Sequence, residues 1–197
     1  MDKKCRKCRK FGVKLFLKGE RCLSPKCSLT RRSYPPGMKG AKTKTSRKSE
    51  YSSQLLEKQK AKAEYGLRER QFARIFKKAS RAKATTGEEL LKNLEMRMDN
   101  IVYRLGFASS RRQARQLVLH RKIKVNEKIV NIPSATLKPE DLIIPINIEA
   151  ITPVKTDIPK WLKLDGKVFQ GKVLRAPNLE EVNSDLDSEQ IIKFYSR

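Results

Sequence analysis

Four cysteines lie within the first 30 residues, and the rest of the chain has none. Cys5 and Cys8 form a Cys-x2-Cys pair and Cys22 and Cys27 form a Cys-x4-Cys pair, with 13 residues between the pairs. Two clustered pairs at this spacing are typical of a tetrahedral four-thiolate zinc site. A cysteine quartet also holds iron–sulfur clusters, so the pattern predicts one metal centre, with Zn2+ as the first choice.

The alternative for these cysteines is a pair of disulfides, which suits small secreted domains. Residues 1–10 are charged and lack the apolar core of a secretory signal peptide. We therefore expect a reducing, cytoplasmic compartment and a metal in place of disulfides. Such a metal would fix a small, loop-rich knuckle that presents lysines and arginines in a defined geometry.

The chain is strongly basic. It has 46 Lys and Arg against 21 Asp and Glu, a net charge of +25. Residues 1–80 contain 25 of the cations and 6 of the acids, whereas residues 138–197 contain 9 and 10. This imbalance predicts a polyanionic partner, nucleic acid before an anionic membrane surface. The cations are spread over several segments and no apolar run approaches the roughly 20 residues of a membrane helix, which favours nucleic acid.

The elements that must present these cations begin with a basic arm after the cysteines. Its two prolines and its glycines argue against regular structure, so we predict an extended segment lying on phosphates. Tyr34, among these cations, either stacks on a base or packs against protein. The candidate RNA contacts here are Arg31, Arg32, Tyr34, Lys39, Lys42, Lys44 and Arg47, and Arg68 and Arg70 are added from the next segment.

Apolar periodicity predicts amphipathic helices over the following stretch. A charged helix is expected over residues 52–66, and a second helix carries an apolar stripe over residues 72–79. Thr86 begins a capping-box pattern with a glutamate three positions later. A third stripe covers residues 90–105, with a possible break near Met96. We assign these stripes to the core.

The pattern changes after Gly106. Ser109 and Ser110 are positioned to cap a short helix over residues 111–120, in which Arg111 and Arg115 share one face. Strands are predicted at 123–125, 130–132 and 142–145. A short basic helix on such a sheet can lie across an RNA backbone, although a solvated cationic face without a ligand is the alternative. The candidate contacts are Arg111, Arg112, Gln113, Arg115 and Gln116, with the cations Arg121, Lys122 and Lys124 beyond the helix.

Five segments together resemble the family of small ribosomal subunit protein four, of the bacterial or organellar type. They are CRKCRKFGVKLFLKGERCLSPKC, RRSYPPG, MDNIVYRLGFASSRRQARQLVLHRKIKVN, IPSATLKPEDLI and IIKFYSR, which occur in this order along the whole chain. The third segment is also similar to the small RNA-binding module shared by pseudouridine synthases and tyrosyl-tRNA synthetases.

The resemblance implies a primary binder of small-subunit ribosomal RNA that nucleates assembly of the subunit body. It further implies proximity to small-subunit protein five, an influence on translational accuracy, and a position near the messenger entry path. It assigns the four cysteines to the zinc ligands that some members have. Ser110 and His120 join the candidates of residues 111–116 on the family's RNA-facing helix.

The expected fold class is α+β, with a zinc knuckle and a discontinuous α-helical domain into which a small α/β RNA-binding module is inserted. We expect the knuckle and arm over residues 1–45, the helical domain over 46–95 and the module over 96–160. Residues 161–197 are expected to complete the helical domain by packing back on it. Trp161 is expected to pack in protein and not to stack on a base.

Three positions depart from the family pattern, which commonly has glycine where this chain has Arg121, Glu127 and Glu140. These changes affect the expected turn types.

Two other function classes compete with RNA binding by a structural protein. An RNA-modifying enzyme would need a catalytic domain, and the single histidine, His120, has no evident nucleophile beside it. A zinc-dependent DNA regulator would need a recognition helix after the cysteines, where the RRSYPPG segment stands instead. We therefore expect a structural RNA-binding protein that is not an enzyme.

Overall fold

The computed structural model describes residues 3–38, 40–41, 49–146, 157–166, 169–178, 181–182 and 185–196. Four predicted arm contacts, Lys39, Lys42, Lys44 and Arg47, lie outside these ranges. The chain divides into two compact units, one formed by Met1–Phe72 with Asp185–Arg197 and the other by Ala73–Ser184. Within the described ranges no helix has both the length and the apolarity needed to cross a bilayer.

The helices, in chain order, are α1 (Lys3–Phe11), α2 (Glu20–Leu23), α3 (Ser28–Arg31), α4 (Glu50–Glu64), α5 (Glu69–Ala79), α6 (Thr86–Glu95), α7 (Met98–Arg104), α8 (Arg111–Leu119) and α9 (Ser188–Tyr195). The strands are β1 (Ile123–Val125), β2 (Lys128–Ile129), β3 (Leu142–Pro145), β4 (Leu162–Asp165) and β5 (Gln170–Val173).

In the first unit, the cysteine segment is more helical than predicted. Cys5 and Cys8 lie on α1. Residues three positions apart are neighbours on one face of an α-helix, so the Cys-x2-Cys spacing suits a helix as well as a loop. Cys8, Leu15 and Ala63 form a small apolar cluster that joins this segment to α4. The cysteine segment is therefore built on short helices and packed on a longer one, where a loop-rich knuckle was expected.

The C-terminal helix α9 packs on α4 within the same unit. The rings of Tyr51 and Phe194 have centroids 5.8 Å apart. The ammonium of Lys58 lies 4.0 Å from the centroid of the Phe194 ring and 2.9 Å from Glu69 Oε1. The hydroxyl of Tyr195 donates a hydrogen bond to the same carboxylate at 3.1 Å. Aromatic packing, a cation–π contact and the Tyr195 hydrogen bond thus hold the chain terminus to the N-terminal helices.

The second unit contains one five-stranded antiparallel sheet, in the order β2-β1-β3-β5-β4. Its buried core includes Ala114 and Val118 of α8 together with Ile123, Ile143 and Trp161. Helix α8 therefore covers the inner side of the sheet. At Gly171 of β5 an added Cβ would stand 2.3 Å from Leu105 Cδ1, so a larger residue there would require the buried Leu105 side chain at the end of α7 to shift.

The observed boundaries differ from those predicted for the last third of the chain. Residues 161–197 were expected to pack back on the helical domain, but β4 and β5 complete the sheet, and only Asp185–Arg197 belongs to the first unit. Helix α6, assigned to the 46–95 domain, lies in the second unit, and its Leu90, Leu91 and Leu94 are buried.

Two local predictions are also corrected. Thr86 does not cap α6, since the N-cap is Thr85 and its side chain makes no capping hydrogen bond. The strand expected at 130–132 is β2, which begins two residues earlier and pairs with β1 through a two-residue turn. The expected break near Met96 is present, where α6 ends and α7 begins after Arg97.

Candidate nucleic-acid interface and cysteine cluster

The N-terminus of α8 is fixed by two of the predicted RNA contacts. The hydroxyl of Ser110, the N-cap, accepts a hydrogen bond from the Gln113 N–H at 3.3 Å. Gln113 Oε1 accepts hydrogen bonds from the Ser109 N–H at 2.9 Å and from its hydroxyl at 2.7 Å. The first of these bonds occupies a helix N–H group that would otherwise lack a partner, and the other two tie Gln113 to the residue before the N-cap. Ser110 is buried in this role, whereas Gln113 stays exposed.

Arg111 and Arg115 fasten α8 to α7. Arg111 Nε donates to Asn100 Oδ1 at 2.8 Å, and its guanidinium lies 4.8 Å from the centroid of the Tyr103 ring. Arg115 Nη1 donates to Asp99 Oδ2 at 3.1 Å. The shared face that the sequence predicts for these two arginines therefore meets protein carboxylate and amide groups, and not solvent alone.

Two buried carboxylates form the inner layer of this network. Glu95, 1 % exposed, accepts two hydrogen bonds from Arg104 at 3.0 and 2.9 Å and one from Asn100 at 2.8 Å. Asp99 is held by Arg97 through two bonds at 3.0 and 2.7 Å. Buried charges are tolerated when they are paired and hydrogen-bonded in this way. Four arginines against two carboxylates leave the inner side of α8 with a net positive charge.

The solvent side of α8 carries a different stripe from the one predicted. Arg112, Gln116 and His120 are exposed and follow one another at four-residue intervals, so they lie along one helix face. Gln113 lies next to this stripe, and the exposed Arg121 and Lys122 extend it past the helix. We call these six residues the α8 outer face.

Lys124 lies apart from the α8 outer face. It alternates with the buried Ile123 and Val125 along β1 and pairs with Ile144 of β3. Successive strand residues point to opposite sides of a sheet, so Lys124 stands on the side that α8 does not cover. Lys163 and Lys172, which face each other across β4 and β5, belong to that side through the register of β3 with β5.

The three positions that depart from the family's glycine pattern have left-handed backbone conformations. The φ angles are 58° at Arg121, 69° at Glu127 and 73° at Glu140. Asn126 and Glu127, both at positive φ, connect β1 to β2 as a turn of the I′ kind. Glycine takes these angles without steric cost. The backbone at all three positions therefore has the conformation that suits the glycines of the family pattern, although this chain carries other residues there.

Four of the predicted arginine contacts lie exposed in the first unit, and the predicted Tyr34 there is engaged by another side chain. Arg31 and Arg32 are exposed at the end of α3, and Arg68 and Arg70 are exposed near the start of α5. Tyr34 is 37 % exposed, and the guanidinium of Arg9 lies 4.6 Å from its ring centroid. Nothing in the sequence distinguishes Arg9 from the surrounding cations.

The four cysteines converge on one small cavity. Cys5, Cys8, Cys22 and Cys27 line a space of about 20 Å3 together with Lys18, Arg21, Ser28 and Leu29. All four thiols are free, and all but Cys5 are buried. Across the described residues, no three potential ligand side chains stand close enough to hold an ion as they are. Four cysteine sulfurs around one cavity fit a metal ion, but their side chains would have to move closer together to coordinate it.

Backbone N–H groups surround these sulfurs. Burial raises the pKa of Cys8, and the other three cysteines raise it further. A hydrogen bond from the Leu15 N–H acts in the opposite direction without outweighing them. Burial likewise raises the pKa of Cys22, opposed by the Lys18 N–H. At Cys27 burial is outweighed by the N–H groups of Thr30 and Leu29 and by the Thr30 hydroxyl, and the pKa is lowered. N–H donors of this kind stabilise thiolates.

Sequence reasoning missed the residues that hold the site from inside. Glu95, Arg97, Asp99 and Asn100 are buried in a stretch that also contains the buried Met96, Met98 and Ile101. The signal available in the sequence was a charged residue with core residues on both sides. Such a residue is expected to be buried, and a buried charged group needs hydrogen-bonding partners.

Comparisons with known proteins cover nearly the whole chain. A family model described as ribosomal protein S4/S9 N-terminal domain matches residues 1–95, and the S4 domain model matches residues 96–143. The small ribosomal subunit protein uS4 of Dictyoglomus turgidum is 50% identical over 202 residues, covering 98% of this chain and 96% of that protein. The protein of the same name from Thermus thermophilus is 48% identical over 204 residues, with the same coverage.

Proposed function

The chain belongs to the family of small ribosomal subunit protein uS4, and from this premise we propose that it is a structural constituent of the small ribosomal subunit that binds ribosomal RNA. The family consists of structural ribosomal proteins and not of enzymes. The bacterial relatives support a ribosome-bound location in a bacterial cytoplasm.

The observation that best supports RNA binding is that one face of α8 is held by protein groups while the opposite face exposes cationic and amide side chains. Arg111 and Arg115 anchor the helix from within, and Arg112 and Gln116 remain exposed on the opposite side. The anchoring fixes the helix that carries the exposed groups before RNA arrives, so little backbone freedom is lost on binding. Cations on a rigid helix with amide groups between them can follow a phosphate backbone by shape, with few contacts to base edges.

The exposed arginines of the first unit add a second basic region to this proposal. Arg31, Arg32, Arg68 and Arg70 are exposed, and each phosphate that such a cation neutralises releases a condensed counterion. Binding should therefore weaken steeply as salt rises. The predicted arm contacts beyond Tyr34 belong to the same region by sequence.

For the cysteine cluster we propose one structural Zn2+ held by Cys5, Cys8, Cys22 and Cys27. The free thiols, their common cavity and the surrounding N–H donors support this assignment. A bound metal would supply a cross-link between α1, α2 and the start of α3, and helices this short are not stable alone. An iron–sulfur cluster is the alternative, and it would colour the protein.

The finer consequences of family membership are part of the same proposal. They are nucleation of the subunit body by early binding to small-subunit (16S-type) RNA, contact with small-subunit protein five, a role in translational accuracy, and a position near the messenger entry path. The resemblance of the five sequence segments supports them. A large excess of positive charge is suited to early binding, since it attracts RNA before other proteins have neutralised it.

Co-sedimentation with small ribosomal subunits tests the proposal. We expect the protein to sediment with small subunits after a moderate-salt wash, and purified protein to prefer structured ribosomal RNA to duplex DNA of equal length. Protein that stays in the supernatant, or that binds both nucleic acids equally, would contradict a ribosomal role.

A further inference from the structure

Arg9 is a buried arginine that is not among the predicted RNA contacts. It lies on α1, next to Cys8, and is 4 % exposed. Its Nε donates a hydrogen bond to the Tyr34 carbonyl at 2.9 Å, and its Nη2 donates to the Pro35 carbonyl at 3.1 Å. The same guanidinium lies 4.6 Å from the centroid of the Tyr34 ring. One side chain therefore fixes both the backbone and the ring of Tyr34.

The described residues after Tyr34 fold back on themselves. Gly40 N–H donates to the Gly37 carbonyl at 3.2 Å, and Gly37 has a φ of 123°. A Cβ at Gly40 would stand 2.0 Å from the Pro35 carbonyl oxygen, which is too close for any other residue. The two carbonyls that Arg9 holds thus belong to a tight loop, where an extended arm was predicted.

Tyr34 is held by Arg9 from one side of its ring and is exposed to solvent. Arg9 occupies one face of the ring, Tyr34 as a residue is 37 % exposed, and Arg31 and Arg32, shortly before it in the chain, are exposed as well. An aromatic ring kept in place next to cations is the usual platform for an unpaired base, because the base stacks while the cations meet the adjoining phosphates. Arg9 itself is too deeply buried and too fully engaged to be a phosphate ligand.

We propose that Arg9 is a positioning residue for RNA recognition, which holds Tyr34 so that its free ring face stacks on one unpaired base. The inference rests on the proposed RNA-binding function and adds to it a contact of a non-ionic kind. Arginine is required because its planar fork reaches two carbonyls and covers the ring at the same time, which a lysine ammonium does not.

The test uses full-length protein and a small-subunit ribosomal RNA transcript, with affinity measured at several salt concentrations. Tyr34→Leu should weaken binding about tenfold or more, the range of one base–aromatic stack, and Tyr34→Phe should bind like the unaltered protein. Arg9→Lys should lose as much as Tyr34→Leu, and the double variant should lose no more than either. Nuclease footprints of the two single variants should lose protection at the same nucleotides.

The salt dependence separates positioning from direct phosphate contact. Arg9→Met removes the charge, yet its slope of log affinity against log salt should equal that of the unaltered protein. A slope shallower by about 0.7–0.9 would make Arg9 a phosphate ligand and overturn the inference. The inference would also be overturned if the double variant lost the product of the two single losses of affinity, since the two residues would then act independently. Normal affinity of Tyr34→Leu would overturn it as well. If the unaltered protein does not bind the transcript, the proposed function fails instead.

Discussion

Arg104 holds Glu95 with two parallel hydrogen bonds, from Nε to Oε2 at 3.0 Å and from Nη2 to Oε1 at 2.9 Å. The carboxylate lies at the end of α6 and is almost fully buried. Asn100 donates to it at 2.8 Å and accepts from Arg111 of α8 at 2.8 Å. The helix that presents the candidate RNA contacts is therefore tied to one buried charge.

Replacing Glu95 with glutamine should destabilise the second unit by about 3 kcal/mol, because the partly buried Arg104 would lose the carboxylate that it holds with two hydrogen bonds. Urea unfolding followed by circular dichroism measures the change. Glu88→Gln on the exposed side of the same helix is the matched control and should change stability by less than about 0.5 kcal/mol. Equal effects of the two substitutions would mean that the network contributes little.

Glu127→Gly should stabilise the β1–β2 turn by up to about 1 kcal/mol. Glu127 has a φ of 69°, and a side chain in this left-handed region carries a steric cost that glycine avoids. Glu127→Ala keeps the Cβ and should bring no gain, which makes it the control for loss of the charge. Midpoints of denaturant unfolding compare the two, and a larger gain from alanine than from glycine would contradict the argument.

The short helix α8 and strands β1 and β3 were predictable because their signals are local. Ser110 marks the helix start, apolar positions follow at helical spacing, and Ile123 and Val125 alternate with a lysine. Strands β4 and β5 were not predicted, since they are four residues long and carry lysines on one side. They join the sheet only through the pairing of β5 with β3, across a long stretch of sequence.

The residues of the candidate site on α8 could be predicted from the sequence, but which face of the helix meets solvent could not. Spacing places Arg111 and Arg115 on one helix face, yet whether that face meets solvent or a carboxylate depends on Asp99 and Asn100 in another helix. Arg9 was indistinguishable by sequence from the cations around it, because its partners are two main-chain carbonyls more than 20 residues away. Long-range polar contacts leave no periodicity in the sequence.

Stability of the first unit should fall with acid through Glu69. Partial burial alone would raise the pKa of this carboxyl, but hydrogen bonds from Lys62, Lys58 and Tyr195 outweigh it and hold the pKa at about 2, below its ordinary 4.5. A depressed folded-state pKa stabilises the fold above pH 4.5, and this contribution is lost as the pH falls toward 2.

Because the Glu69 side chain is 47% exposed, screening reduces the effect to about 1 kcal/mol. Glu69→Gln should be less stable than the unaltered protein by that amount at pH 7 and equally stable near pH 2, by urea unfolding. Glu20→Gln, at an exposed position of the same unit, should show no such difference. A gap that persists unchanged at low pH would exclude Glu69 as its source.

Replacing Cys5 and Cys8 with serine should remove the metal, loosen residues 3–33 and weaken RNA binding. Elemental analysis should find about one zinc per chain in the unaltered protein and none in the variant. Hydrogen exchange should rise in α1–α3 while the core around Ile123 and Ile143 keeps its protection. Lys26→Ala, exposed between Cys22 and Cys27, should retain the metal. Metal-free unaltered protein with full RNA affinity would contradict the assignment.

The salt dependence of binding to small-subunit ribosomal RNA tests most directly whether exposed cations on the α8 outer face offset phosphate charge. We predict that log affinity falls linearly with log salt, and that Arg112→Gln lowers the steepness by about 0.7–0.9, the share of one phosphate contact. Lys92→Gln, a cation already paired with Glu89, should leave the slope unchanged. An affinity that does not respond to salt, or an Arg112→Gln slope equal to that of the unaltered protein, would contradict the account.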